Sequence, residues 1–178
     1  MAFEILGHPS DGPTLELDWR RFAYAGKFVM SNTGKAVARD EDGDVVAALA
    51  FNEDRTDDDR CWVRYVTVRD DWRGEGIGSR LTAYTAETLL EKYETVRTGA
   101  NNPFSYQSFY KAGFGFTGET TGMAELVLDR PGNRSGERYR EGLEIYADRD
   151  LSDAESAFVD GHLAEDPPTP IEVEKADN

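Results

Sequence analysis

Cysteine occurs once, at Cys61, and histidine twice, at His8 and His162, far apart in the chain. A single thiol forms no internal disulfide, and so sparse a set of ligands offers no metal cluster. Lysine is scarce, 5 residues against 15 arginines. No run of 18 apolar residues exists, so no segment is expected to span a membrane. The opening MAFEILGHPSDG has neither a basic start nor a long apolar stretch, so it is not read as a signal peptide and a cytoplasmic location is expected. No nucleophile-elbow serine pattern is present, which leaves hydrolysis without support.

What the chain has in excess is acid. Its 178 residues carry 35 Asp and Glu against 20 Lys and Arg, a formal net charge of -15, in runs such as ARDEDGD and NEDRTDDDR. No basic stripe exists to neutralise phosphates, so nucleic acid is not an expected partner. Dispersed acid with little lysine resembles the halophilic composition of proteins from salt-loving archaea, where surface carboxylates keep a protein solvated in brine. The rival reading is that the acidity draws a cationic acceptor. It is weaker, because the acids are spread out rather than gathered around one feature.

Local patterns predict strands over Phe3–Leu6, Ala36–Arg39, Val45–Phe51, Trp62–Val68, Thr95–Thr98 and Met123–Leu128. Asp42-Gly43 marks a hairpin between the second and third of these. Helices are expected over Leu15–Phe28, Ser79–Tyr93 and Pro103–Ala112, the last ended by Gly113. The pattern is α/β (α+β): a mixed, mostly antiparallel central sheet flanked by helices. Residues 1–130 form the expected main domain. Residues 131–164 read as a helical C-terminal extension, with Ser152-Asp-Ala-Glu155 a capping box that opens a new helix. Residues 165–178, rich in proline and charge, are expected to be a disordered acidic tail.

Three glycines stand in five positions within Trp72-Arg-Gly-Glu-Gly-Ile-Gly-Ser79, after a strand and before a helix. They match neither a P-loop, which needs a following lysine, nor the Gly-x-Gly-x-x-Gly dinucleotide fingerprint. That fingerprint does occur at Gly113, Gly115 and Gly118, but it follows a helix, so it is read as a turn and a strand start. At Gly74, Gly76 and Gly78 the sequence supplies backbone amides without Cβ atoms at a helix start, which bind anions whatever the net charge. A tight turn with no ligand is the competing reading.

Arg73, Gly76 and Gly78 are in the register of the GNAT superfamily of acetyl-CoA-dependent N-acetyltransferases, whose pattern is Arg/Gln-x-x-Gly-x-Gly/Ala after the fourth strand. The segment from Asn102 to Phe114 is similar to a second family pattern, with Asn102, Lys111, Gly113 and Phe114 in register. The resemblance covers roughly residues 1 to 130. It implies that amides of Gly74, Glu75, Gly76, Ile77, Gly78 and Ser79, with Arg73, hold the pyrophosphate of acetyl-CoA. It further implies that the strand edge at Val66 and Val68 pairs with the pantetheine, that Asn102 and Phe109 contact that arm, and that an N–H near Val68 polarises the acetyl carbonyl. No metal is implied. The partner would be an amine acceptor, small molecule or protein, with a homodimer as one open assembly.

Two departures bear on catalysis. The family tyrosine that acts as general acid is replaced by Phe109, leaving Tyr110 and Tyr106 as candidates. No carboxylate stands on the fourth strand, and Glu53 and Asp54, at the end of the preceding strand, are candidate bases by location, against their reading as solvated loop acids. Tyr65 and the aromatics from Trp19 to Phe28 have two readings each, as walls of an acceptor site or as packing. The alternative function is an acetyl-CoA-binding regulatory module with weak or absent catalysis.

Overall fold

The computed structural model describes residues 1–173. Seven strands form a mostly antiparallel mixed sheet with four α-helices, in two compact units, Met1–Val96 and Arg97–Ile171. Among the described residues no helix is long and apolar enough to cross a membrane, and no group of three or more His, Cys, Asp or Glu is placed to hold a metal ion.

The first unit holds β1 (Ala2–Gly7), β2 (Gly34–Arg39), β3 (Val45–Glu53) and β4 (Arg60–Val68), adjacent in that order and antiparallel, with helix α1 (Ile77–Leu89). The β2–β3 turn forms as expected: Asp40 Oδ1 accepts from the amides of Asp42 and Asp44 at 3.0 and 2.9 Å, and Gly43 takes φ +85°. Val46 to Phe51 are wholly buried, which is why β3 reads as an unbroken apolar run rather than an alternation. One face of the sheet packs on α1. On the other face Val37, Ala48 and Ala50 meet Phe28, Leu15 and Leu17 from the connection between β1 and β2.

That connection is not the helix expected over Leu15–Phe28. From Leu15 to Phe28 it holds extended residues, turns and a 3-10 turn at Ala25–Lys27. Its leucines alternate, Leu15 and Leu17, and lie on the sheet; Tyr24 takes a left-handed φ of +60°, which no helix interior accepts. The aromatics divide by use: Phe22 and Phe28 are buried, whereas Trp19 is 78% and Tyr24 54% exposed. Helix α1 also stops short of expectation, at Leu89, because Leu90 to Tyr93 turn down to bury Tyr93.

The second unit holds β5 (Thr95–Ala100, starting at the boundary), α2 (Pro103–Lys111), β6 (Gly115–Thr120), β7 (Leu126–Arg130), α3 (Gly136–Ala147) and α4 (Asp153–His162), with its strands in the order β5-β7-β6. The strand expected from Met123 begins at Leu126 instead, because Met123 and Ala124 lie in a turn where Ala124 has φ +63°. The capping box at Ser152 and Glu155 is present. Tyr139, Leu143 and Tyr146 of α3 are buried within the same unit as α2, and Gly142 lets the Tyr106 ring lie against the helix where a Cβ would collide with its hydroxyl.

The first part of the expected tail is held rather than free. Ile171 N donates to the Lys111 carbonyl at 2.8 Å and Arg134 Nη2 to the Pro168 carbonyl at 2.7 Å. Prolines there fix an extended path with few donors to satisfy. The remainder of the tail, residues 174–178, lies outside the described residues.

Candidate active site

Between β4 and α1 the chain makes a 3-10 turn at Asp70–Trp72 and then the glycine run. Gly74 and Gly76 have φ of +83° and +77°, and nothing lies within 4 Å of where their Cβ atoms would stand. Gly78 does a different job. A Cβ there would sit 3.2 Å from Val68 Cγ2 and 3.8 Å from Val66 Cγ1, so its absence seats the helix start on β4. No side chain caps α1 and no acid stands in its first turn. Ile77 and Gly78 open the helix, where first-turn amides point away from the helix body and carry the positive end of its dipole.

The surrounding charges support that end. Arg73 Nε donates to the Val68 carbonyl at 3.3 Å, which holds the arginine over the turn. Asp71, close in sequence, is gripped by Arg69 at 2.7 and 3.1 Å and by Arg21 at 2.9 Å; the hydrogen bonds from Arg69 hold its carboxyl below the usual carboxylate range. Val66, Val68, Arg73 and the six residues Gly74 to Ser79 are thus brought together in one unit, as an open nest of backbone donors suited to an anion.

Register decides what the opposite face of β4 offers. Val66 and Val68 pair with Leu49 and Ala47 on the α1 side, while Tyr65 and Thr67 pair with Ala50 and Ala48 on the other. A β-bulge leaves Arg64 without a cross-strand partner, because Ala50 meets Tyr65 and Phe51 meets Val63. Trp62, Arg64 and Tyr65 therefore share the face turned away from α1. Tyr24 lies 5.7 Å from Tyr65, ring to ring, and Lys27 Nζ lies 5.7 Å from the Tyr65 ring centre. Tyr24 was among the aromatics with a reading as an acceptor wall, whereas Arg64 and Lys27 were missed by sequence reasoning. The bulge leaves no mark in the residue pattern, and Lys27 sits in a segment read as helix.

Glu53 is not brought to the cradle. It pairs with Cys61, at the end of β3 remote from Val68, roughly 13 Å along the strand from Leu49 at about 3.3 Å per residue. Its carboxylate accepts from Tyr93 Oη at 2.7 Å and faces Lys92 at 3.8 Å. Neighbouring Cys61 is buried, and burial, aided by the Glu53 charge, pushes its thiol up to about 12. Cys61 is accordingly expected to be inert in the native chain. A disulfide reagent should titrate no thiol in the folded protein and one per chain after denaturation; rapid native reaction would contradict this burial.

The tyrosines expected to supply an acid are core residues. Tyr106 and Tyr110 are wholly buried; Tyr106 Oη donates to the Tyr139 carbonyl at 2.8 Å, and Tyr110 Oη accepts from the Phe116 amide at 2.9 Å. Burial raises both phenols above their ordinary value. Neither reaches solvent. The end of α2 is fixed in register. Gly113 N donates to the Tyr110 carbonyl at 3.0 Å and Phe114 N to the Phe109 carbonyl at 3.1 Å, a Schellman end that locks the Phe109 ring against Phe114. Asn102 caps α2, its Oδ1 accepting from Ser105 N at 2.8 Å.

Comparison with known proteins is consistent with this geometry. The Acetyltransferase (GNAT) family model matches residues 4–116. No curated protein matches the chain. Among solved structures, nourseothricin acetyltransferase is 20% identical with a TM-score of 0.46, covering 55% of this chain and 64% of its own. A GNAT superfamily phosphinothricin acetyltransferase from Sinorhizobium meliloti, in complex with AcCoA, is 17% identical with a TM-score of 0.49, covering 55% and 60%. An N-acetyltransferase from Staphylococcus aureus Mu50 is 23% identical with a TM-score of 0.44, covering 55% and 64%. The chain therefore spans less than two thirds of each of these relatives. With the family match covering well over half of its residues, the chain belongs to the GNAT acetyltransferase family.

Proposed function

We propose that this chain is an acetyl-CoA-dependent N-acetyltransferase. The observation that carries the reading is the uncapped start of α1, with open space above Gly74 and Gly76 and Gly78 seated on Val68. Amides from Gly74 to Ser79 would hold the pyrophosphate, as helix starts do, and Arg73 would add a cation at its edge. Acetyl-CoA supplies an activated thioester when bound. A backbone N–H near Val68 would polarise the acetyl carbonyl, a task that needs no side chain.

In the transfer, the lone pair of a neutral amine forms a C–N bond to the carbonyl carbon as the C–S bond breaks. The nitrogen gives up a proton and the departing sulfur takes one. With Tyr106 and Tyr110 buried and Glu53 at the far end of β3, no side chain is assigned to either proton, and water carries both. A positioned acid or base typically contributes about 10²- to 10⁴-fold. The rate is therefore expected to be modest and to rise with pH as the amine acceptor deprotonates.

The absence of a placed acid also favours a second reading, a module that binds acetyl-CoA without turning it over. Release of free coenzyme A thiol from acetyl-CoA decides between them. Amine-dependent release supports transfer, and tight binding without release supports the module.

A further inference from the structure

We infer that the face of β4 turned away from α1 selects an acceptor amine that also carries a carboxylate, by means of Arg64 and Lys27. The inference rests on the acetyltransferase reading and names the substrate class for that same site.

In a chain with 35 acids and 20 bases, cations are ordinarily consumed by neighbours. Arg39, Arg60 and Arg69 each meet a carboxylate within 3.5 Å. Arg64 does not. Its Nε donates to Asn52 Oδ1 at 2.7 Å and its guanidinium lies 4.6 Å from the Trp62 ring centre, while among the described residues its two Nη groups have no hydrogen-bond partner. Stacking and one side-chain hydrogen bond thus fix the fork, and its two outer nitrogens are left to an anion. Asp54, whose charge acts on Arg64, is committed elsewhere: it accepts from Trp62 Nε1 at 2.7 Å, from Thr56 N and Oγ1 at 2.8 Å, and from Arg60 at 3.5 Å.

Lys27 is likewise without an ion pair among the described residues and is exposed beside the Tyr65 ring. Tyr24, which closes on that ring from the same segment, holds a left-handed backbone, and such strain is kept where surrounding structure demands it. Two unpaired cations and three aromatic rings therefore share one face of β4, where the bulge turns Arg64 outward. A polyamine or a lysine-rich tail would meet like charge there. An amino-acid-like acceptor would place its carboxylate on Arg64 and Lys27 and lay its side chain on the rings, leaving its amine free to attack.

The test measures thiol release with phenylalanine, glutamate, phenylalaninamide and spermidine as acceptors, alongside calorimetry of acetyl-CoA binding. The expected result is kcat/KM for phenylalanine about 10-fold or more above that for its amide, as one charge-assisted pair gives. Arg64→Gln should collapse that ratio towards one without changing acetyl-CoA affinity. Preference for spermidine or the amide overturns the proposal, as does a ratio that survives Arg64→Gln, or no turnover of any of the four by a chain that binds acetyl-CoA. Absence of acetyl-CoA binding overturns the transferase reading itself, and this proposal with it.

Discussion

Gly76→Glu is expected to weaken acetyl-CoA binding by at least about 100-fold while leaving the chain folded. Nothing lies within 4 Å of the Gly76 Cβ position, so the new side chain collides with no protein atom. It enters the space that the amides face. A carboxylate about 4 Å from a bound phosphate costs on the order of 4 kcal/mol at an effective dielectric near 20, and partial screening still leaves about 3 kcal/mol, roughly 100-fold in affinity. The backbone adds a separate cost, because Gly76 has φ +77° and a side chain there loses about 1–2 kcal/mol. Gly76→Ala separates the two effects. It shares the strain but not the charge, so its affinity should stay within about 10-fold of wild type. Calorimetry on both variants, with thermal melts to show folding, makes the comparison; a folded Gly76→Glu chain with wild-type affinity removes the anion cradle from the mechanism.

The glycine turn proposed as this cradle was legible in the sequence because its physics is local. A β-branched strand, a glycine run and a helix start lie within 20 consecutive residues, and the conformations they require follow from residue type. The net charge of -15 did not obscure it, since backbone amides hold an anion without any basic side chain. Strands β1 to β4 were legible for the same reason: short runs of β-branched and apolar residues and the Asp-Gly turn act between neighbours.

What was not legible depends on partners distant in the chain. Tyr106 and Tyr110 look like functional hydroxyls until α3, some 30 residues later, contributes the Tyr139 carbonyl and the gap at Gly142. Leu15 to Phe28 carries enough apolar residues for a helix face, yet the sheet surface takes them in an extended path, an override of local propensity by packing. The bulge at Arg64 is a matter of register against β3. It turns an arginine outward at the strand where chemistry is proposed, and one strand's residue pattern cannot specify it.

The same segment leads to the largest expected effect on stability, from Lys35→Met. Lys35 is wholly buried, and its Nζ donates to the carbonyls of Pro13, Met30 and Thr33 at 2.8, 2.8 and 2.9 Å and meets Thr33 Oγ1 at 2.7 Å. None of these acceptors carries a charge, so the ammonium is held by dipoles alone, and they come from both ends of the connection that crosses the sheet. Methionine keeps most of the stem's volume but donates nothing. Each buried oxygen left without a donor costs about 1–3 kcal/mol, offset in part because an unpaired charge no longer has to be buried. A net loss of roughly 3 kcal/mol is expected, a fall in Tm on the order of 6–12 °C for a chain of this size. Lys35→Arg should not rescue it, because a planar fork does not fit a site shaped for a tetrahedral ammonium. The functional effect should be one-sided. Pro13, Met30 and Thr33 anchor the segment that sets Tyr24 and Lys27 against Tyr65, whereas the cradle at Gly74 to Ser79 lies on the α1 side of β4. Below its melting point the Lys35→Met chain should therefore bind acetyl-CoA with wild-type affinity and show a raised KM for the amine acceptor. A Tm within about 2 °C of wild type, or a loss of coenzyme affinity equal to the loss at the acceptor site, would show that Lys35 does not organise that face.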